Sequence, residues 1–133
     1  MGSKNRILLA ILSASILHKL RNTFQSEELY VSKSKLKKIE TKHPIESSFL
    51  YHGFFQQIID NTIGTCAYKH EDAIINFVSI VDGSIYLFSI STSNYHVYLG
   101  TFFKSDKRKI LKQCNEKIIF LSESKRRIFE EFV

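Results

Sequence analysis

The chain has little with which to build a metal or cofactor site. Its two cysteines, Cys66 and Cys114, lie far apart, with no CxxC pair and no Cys/His spacing suited to zinc. The five histidines, at 18, 43, 52, 70 and 96, include no HExxH arrangement, so no metal is expected. A phosphate-binding glycine loop, a dinucleotide fingerprint and a GxSxG elbow are all missing, so no cofactor is expected either. Pro44 is the only proline, and no repeat, linker or low-complexity block divides the sequence, so 1–133 reads as one domain. The longest apolar run near the start, 7–12, is far short of the ~20 residues that span a bilayer.

That run follows Lys4 and Arg6 and precedes small residues, a faint likeness to a secretory signal. Leu17 and Leu20 continue its pattern with His18, Lys19 and Arg21 on the polar side, which favours a buried helix over 4–24. Cys66 sits among small and apolar residues and reads as a buried thiol; a disulfide with Cys114 is compatible but not demanded. Cytoplasmic residence is the first expectation, with a secreted effector as the alternative.

Basic charge is present in excess. A formal net charge of +6 points to an anionic partner, nucleic acid ahead of an acidic membrane. The excess concentrates in LYVSKSKLKKIETKHP, residues 29–44. Leu29, Tyr30 and Val31 read as a short strand, and Ser32 is placed to cap a helix. On that helix Leu36, Ile39 and His43 share one edge, and Lys35, Lys38 and Lys42 repeat the spacing on an adjoining stripe. Pro44 stops the helix at His43. An imidazole at a helix end beside a cationic stripe suits a phosphate. Surface lysines are ordinarily just solvated, and a histidine at a helix C-terminus is favourable with the dipole in any case.

Past Pro44, Ser47 or Ser48 caps a further helix lined by Leu50, Phe54 and Ile58 and closed by Gly64. The period then changes to that of strands: 65–69, 73–81, 84–92 and 95–103, with Asp82-Gly83 a strong hairpin turn and Ser93-Asn94 a second. A helix from Ser105-Asp106, an extended piece at 117–121 and a last helix capped by Ser122 complete the chain. The expected fold is α+β: N-terminal helices packed on an antiparallel meander of about four strands, with a C-terminal helix. Two-residue turns place Phe77 opposite Phe88, Ile90 opposite Val97 and Tyr86 beside Thr101, and put Phe103 on the core face. The other face collects Asn76, Ser89 and Tyr98, with Ser91 opposite His96. Such a row is a solvated side or a ligand platform.

The order strand, basic helix ending in His-Pro, helix, meander resembles the phage and mobile-element branch of the barnase/EndoU/colicin/RelE-like nucleases. The matching residues are Val31, Ser32, Leu36, Ile39, His43 and Pro44, then more loosely Leu99, Thr101 and Phe103 before the basic Lys104, Lys107, Arg108 and Lys109. On this likeness 29–112 is the nuclease-like core, between an N-terminal piece (1–28) and a C-terminal strand and helix (113–133). Lys38 and Lys42 stand where the family pattern has a histidine and an arginine, and a lysine is a poor proton shuttle near neutral pH. The resemblance implies metal-free RNA cleavage by acid/base transesterification. His43 would be the lead acid/base and His96 the second, with Thr101, Tyr98 and Ser105 orienting the substrate. Lys35, Lys38, Lys42, Lys104 and Arg108 would contact phosphate. In a toxin setting, an acidic immunity protein would be the expected partner beside RNA.

Three other readings compete. The first is a non-catalytic nucleic-acid-binding module on the same scaffold, with Tyr95 and Tyr98 stacking bases. The second takes YHGFFQQIIDNTIG as similar to hotdog-fold thioesterases, which would give weight to His52, Gly53 and Asp60. The third is a structural or host-interaction protein with no chemistry of its own.

Overall fold

The Asp82-Gly83 turn sets the register of the central strands. Both residues adopt positive φ, 49° and 76°, the geometry that a tight two-residue hairpin requires. Val81 therefore faces Ser84, Ser79 faces Tyr86 and Phe77 faces Phe88. The computed structural model describes residues 5–20, 27–51, 53–71, 74–93, 96–114 and 116–132, with 67–71, 92, 93 and 96 described by their backbone.

In chain order the strands are β1 (Arg6–Ile11), β2 (Glu28–Ser32), β3 (Thr62–Glu71), β4 (Ile74–Val81), β5 (Ser84–Ser93), β6 (His96–Ser105) and β7 (Ile118–Phe120). The helices are α1 (Ala14–Lys19), α2 (Lys33–Lys42), α3 (Pro44–Ser47), α4 (Phe55–Asp60), α5 (Lys107–Gln113) and α6 (Glu123–Glu131). A 3₁₀ turn, Ser48–Leu50, follows α3. Among the described residues the strands make one seven-stranded mixed sheet, in the order β1-β2-β6-β5-β4-β3-β7. The fold is α+β, but the four-stranded meander expected from the sequence is only its middle. On one side β2 adds to β6 in parallel and carries β1; on the other, β7 adds to β3.

The N-terminal helix expected over 4–24 is instead β1 followed by α1, as far as the described residues go. A bulge between Leu8 and Ala10 explains the misreading. It lets Leu9 and Ala10 both turn inward, so the buried positions Leu9, Ala10, Leu12 and Ile16 mimic a helical face. Leu8 and Ile11 stay exposed on the other side. The helix expected after Pro44 is also broken, into α3, the 3₁₀ turn and α4, with Gly53 at φ 75° between the last two.

Two cores lie on opposite faces of the sheet. The first gathers α1, α2, the 3₁₀ turn and α4 over an aromatic lattice. Phe102 is its centre, with ring centroids 5.1 Å from Phe55, 5.5 Å from Tyr86 and 6.0 Å from Phe49. The second is smaller: Ile63, Val78, Ile85 and Leu87 meet Ile110 of α5 and Phe129 of α6. A disulfide, Cys66–Cys114, ties β3 to the end of α5 inside this second core. Cys66 is thus not a free thiol.

Another bulge corrects the second hairpin. Ile90 pairs with Leu99 and Thr92 with Val97, two residues along from expectation; the pairing then shifts so that Phe88 meets Phe102. The extra residue, opposite Ser89, rotates the rest of β6. Phe102 rather than Phe103 enters the first core, while Thr101 and Phe103 turn to the second face. The expected placing of Thr101 beside Tyr86 is therefore overturned.

Burial also raises the pKa of the Tyr86 phenol above its usual value near 10, against an opposing hydrogen bond with Ser84; Glu46 and Asp82 add to the rise. Because the folded pKa is the higher one, this contribution to stability is complete below about pH 10 and is lost as pH rises through the folded value. Tyr86→Phe should move the alkaline unfolding midpoint to higher pH, read by circular dichroism beside tyrosinate absorbance. An unmoved midpoint would show that Tyr86 does not limit alkaline stability.

Candidate functional site

Helix α2 carries five lysines, at 33, 35, 37, 38 and 42, against the single Glu40. The Ser32 hydroxyl caps it, accepting from the Lys35 N–H at 3.2 Å, and Leu36 and Ile39 bury its inner edge in the first core. At 100° per residue, Glu40 lies on the flank opposite the Lys35, Lys38 and Lys42 stripe. Glu40 accepts a hydrogen bond from the Tyr51 hydroxyl, and that bond, more than desolvation, raises the Tyr51 pKa. Tyr51 directly follows the 3₁₀ turn, whose Phe49 packs edge-on against Tyr86 and Phe102. The Glu40 flank thus looks toward the 3₁₀ turn on the first face, and the lysine stripe lies on the other flank of α2.

His43 ends α2 and begins α3, with φ −139°, as the following Pro44 dictates. Its ring lies on Phe103 (centroids 6.0 Å apart, planes 29°) and its Nδ1 is 3.4 Å from Glu46 Oε2. The same carboxylate oxygen accepts the Lys104 N–H at 3.3 Å, so Glu46 bridges α3 to the edge of β6. The imidazole is 39% exposed and the carboxylate 14%, so a well-anchored acid orients a solvent-facing base. Holding Nδ1 leaves Nε2 for a second partner. Glu46 was missed in the sequence, although its position in the first turn after His43 is where an acid commonly reaches back to a helix start.

The remaining candidates scatter. The backbone of His96 pairs with Ser93 at the far end of β6, seven residues from Phe103. At a strand rise of ~3.3 Å per residue that is roughly 20 Å away, too far for His43 and His96 to share one proton-transfer site. Lys104 faces Tyr86 in the ladder, on the side away from Thr101 and Phe103, while Ser105 faces Ile85. Thr101 is exposed on the second face, where its N–H and hydroxyl both bond Ser89 Oγ at 2.9 Å. Tyr98 pairs with Tyr30 on one side and Ser91 on the other. Arg108 is on α5, beside Leu111, Lys112 and Glu116 at a shallow basin of about 490 Å³. Its neighbour Lys107 is structural: the ammonium donates to the Glu130 and Phe132 carbonyls at 3.2 and 2.9 Å, holding α6.

Of the residues singled out by the thioesterase likeness, His52 lies outside the described residues, as does Tyr95. Asp60 accepts from Gln56 Nε2 at 3.0 Å. Among the described residues no cluster of three or more potential metal ligands occurs, and no helix is long and apolar enough to cross a membrane. Compared with known proteins, the chain matches no family model, no curated protein and no solved structure.

Two residues of the second face were also missed. Tyr30 holds the Arg6 guanidinium 4.0 Å from its ring centroid, and its hydroxyl donates to Glu28 at 3.1 Å. Burial first, then that bond, raises the Tyr30 pKa. Arg6 gave no signal because it was read as part of a helix.

Proposed function

We propose that this protein binds RNA through its phosphate backbone, along the stripe of Lys35, Lys38 and Lys42 that ends at His43. The observation that carries this reading is the one-sided placement of the stripe. Glu40 and Tyr51 occupy the opposite flank of α2, so Lys35, Lys38 and Lys42 form a row clear of the one acid on that helix, ending at His43 on Phe103. Cations in a row at helical spacing track a phosphate chain, and each contact releases counterions. Anisotropy of a labelled single-stranded RNA titrated across salt tests this. With ~0.7 of log–log slope per phosphate contact, Lys35→Ala/Lys38→Ala/Lys42→Ala should flatten the salt dependence by about 2. Lys33→Ala/Lys37→Ala, on the Glu40 flank, should leave it unchanged. Equal effects from the two variants would overturn the one-sided rail.

A second reading, metal-independent cleavage, is favoured by the His43–Glu46 pair alone. His43 Nε2 would take the 2′-hydroxyl proton as that oxygen bonds to phosphorus; the P–O5′ bond would break, the 5′-oxygen leaving with a proton from water, while Glu46 holds the ring and stabilises the imidazolium. Incubation with RNA in excess EDTA should then give 2′,3′-cyclic phosphate ends, abolished by His43→Ala and reduced by Glu46→Gln. Intact RNA with the wild-type protein would discard cleavage and leave binding standing.

A further inference from the structure

Ladder pairings align one residue from each of five neighbouring strands: Leu8 with Tyr30, Tyr30 with Tyr98, Tyr98 with Ser91, and Ser91 with Ile74. Ring contact agrees with the side, since Tyr30 and Tyr98 have centroids 6.4 Å apart with planes tilted by 48°. This row crosses the second face. Helices α5 and α6 pack on that face chiefly over β3, with α6 also against β7. Toward β1, β2 and β6 the described residues of this face leave an exposed area: Leu8 is 49% and Ile11 45% exposed, Tyr30 and Tyr98 are half-buried, and Thr101 is exposed farther along β6.

The open area combines three chemistries. Its floor is aromatic and aliphatic. Arg6 supplies a cation stacked on Tyr30. The bulge supplies hydroxyls in a fixed place: a Cβ at Gly100 would come within 2.6 Å of Ser89 Oγ, so the glycine is what lets Ser89 hold the Thr101 N–H and hydroxyl. The lysine stripe of α2 starts at Lys35, whose N–H bonds Ser32 Oγ, and Ser32 stands two residues from Tyr30 on the same side of β2. A strand whose phosphates follow the lysines would lay its bases over the sheet.

We propose that the open second face takes unpaired nucleobases, stacked on the Tyr98–Tyr30 pair, so that the ligand of this protein is single-stranded RNA. This rests on the phosphate-binding reading above and adds the substrate class. A duplex buries its base faces in its own stack, so it can reach the lysines but not the tyrosines. Apolar ring surface next to a cationic rail fits a single strand, in which both bases and phosphates are accessible.

The test uses the full chain with three ligands: a single-stranded RNA carrying 2-aminopurine, the same RNA annealed into a duplex, and inorganic polyphosphate. The single strand should bind roughly tenfold more tightly than the duplex, with 2-aminopurine emission quenched on binding. Tyr98→Ala should weaken the single strand by roughly tenfold and leave polyphosphate unaffected, while Tyr98→Phe keeps both. Leu8→Glu, at an exposed position, should also weaken the single strand, and it keeps the test decisive should Tyr98→Ala not fold. Equal binding of single strand and duplex, untouched by Tyr98→Ala and Leu8→Glu, would overturn the base platform while the lysine rail stands. Failure of both polyphosphate and RNA to bind would overturn the rail and the platform together.

Discussion

Phe102→Ala is expected to cost about 4 kcal/mol of folding stability, the usual cost of truncating a buried aromatic side chain. Phe102 is 1% exposed and touches three rings, those of Phe49, Phe55 and Tyr86, which come from two separate helical segments and β5. No neighbour can collapse into the space without leaving its own partners. The loss corresponds to a fall of roughly 15 °C in Tm for a domain of this size. Urea unfolding should show a lower midpoint at an unchanged slope. The useful comparison is Phe103→Ala, expected to cost clearly less, because Phe103 is half-buried at the rim of the second core against His43. Without the bulge opposite Ser89 the order of the two would reverse. A larger loss at Phe103 would therefore reject the register of β6.

Breaking Cys66–Cys114 is the other large effect. The bond joins residues 48 apart, and closing a loop of that length in the unfolded chain accounts for about 4 kcal/mol on the chain-entropy view. Reduced protein, or Cys66→Ala/Cys114→Ala, should unfold at markedly lower urea than the oxidised form. Alanine is the better probe than serine, because both positions are buried in the second core and a hydroxyl there would need a partner. A reduced form as stable as the oxidised one would sink this expectation. Alkylation under denaturing conditions, applied to protein taken straight from its source, reports whether the bond forms in the cell. Disulfides persist in oxidising compartments and are rare in a reducing cytosol.

What the sequence made readable was local. The Ser32 cap, the end of α2 before Pro44, the Asp82-Gly83 hairpin, and the starts of α5 at Asp106 and α6 at Ser122 all follow from the few residues beside them. The two bulges were not readable, because each is one extra residue in an apolar run, and one residue is enough to exchange the faces. Gly100 was the one trace, a glycine inside a strand where a close backbone approach is common. The parallel joining of β2 to β6 was beyond reach, since it links residues far apart in the chain and leaves no period in either. The site divided in the same way. His43 and its lysines come from one continuous stretch, whereas the Tyr30–Tyr98 row depends on that long-range pairing and Arg6 on β1 being a strand beside β2.

The parallel seam also bears on how the chain folds. Strands β3 to β6 meet their neighbours through short connections, so their pairing can begin early and locally. The seam between β2 and β6 consists of Leu29 with Val97 and Tyr30 with Tyr98, and it can form only after about half of the chain has been brought back on itself. Closure of that loop costs entropy before any contact repays it, so the docking of β1 and β2 is expected to follow the pairing of β3 to β6, which pulsed hydrogen exchange would check. On the same argument this seam is expected to open before the centre of the sheet. The two tyrosines at that seam would then register partial unfolding before the aromatic core does.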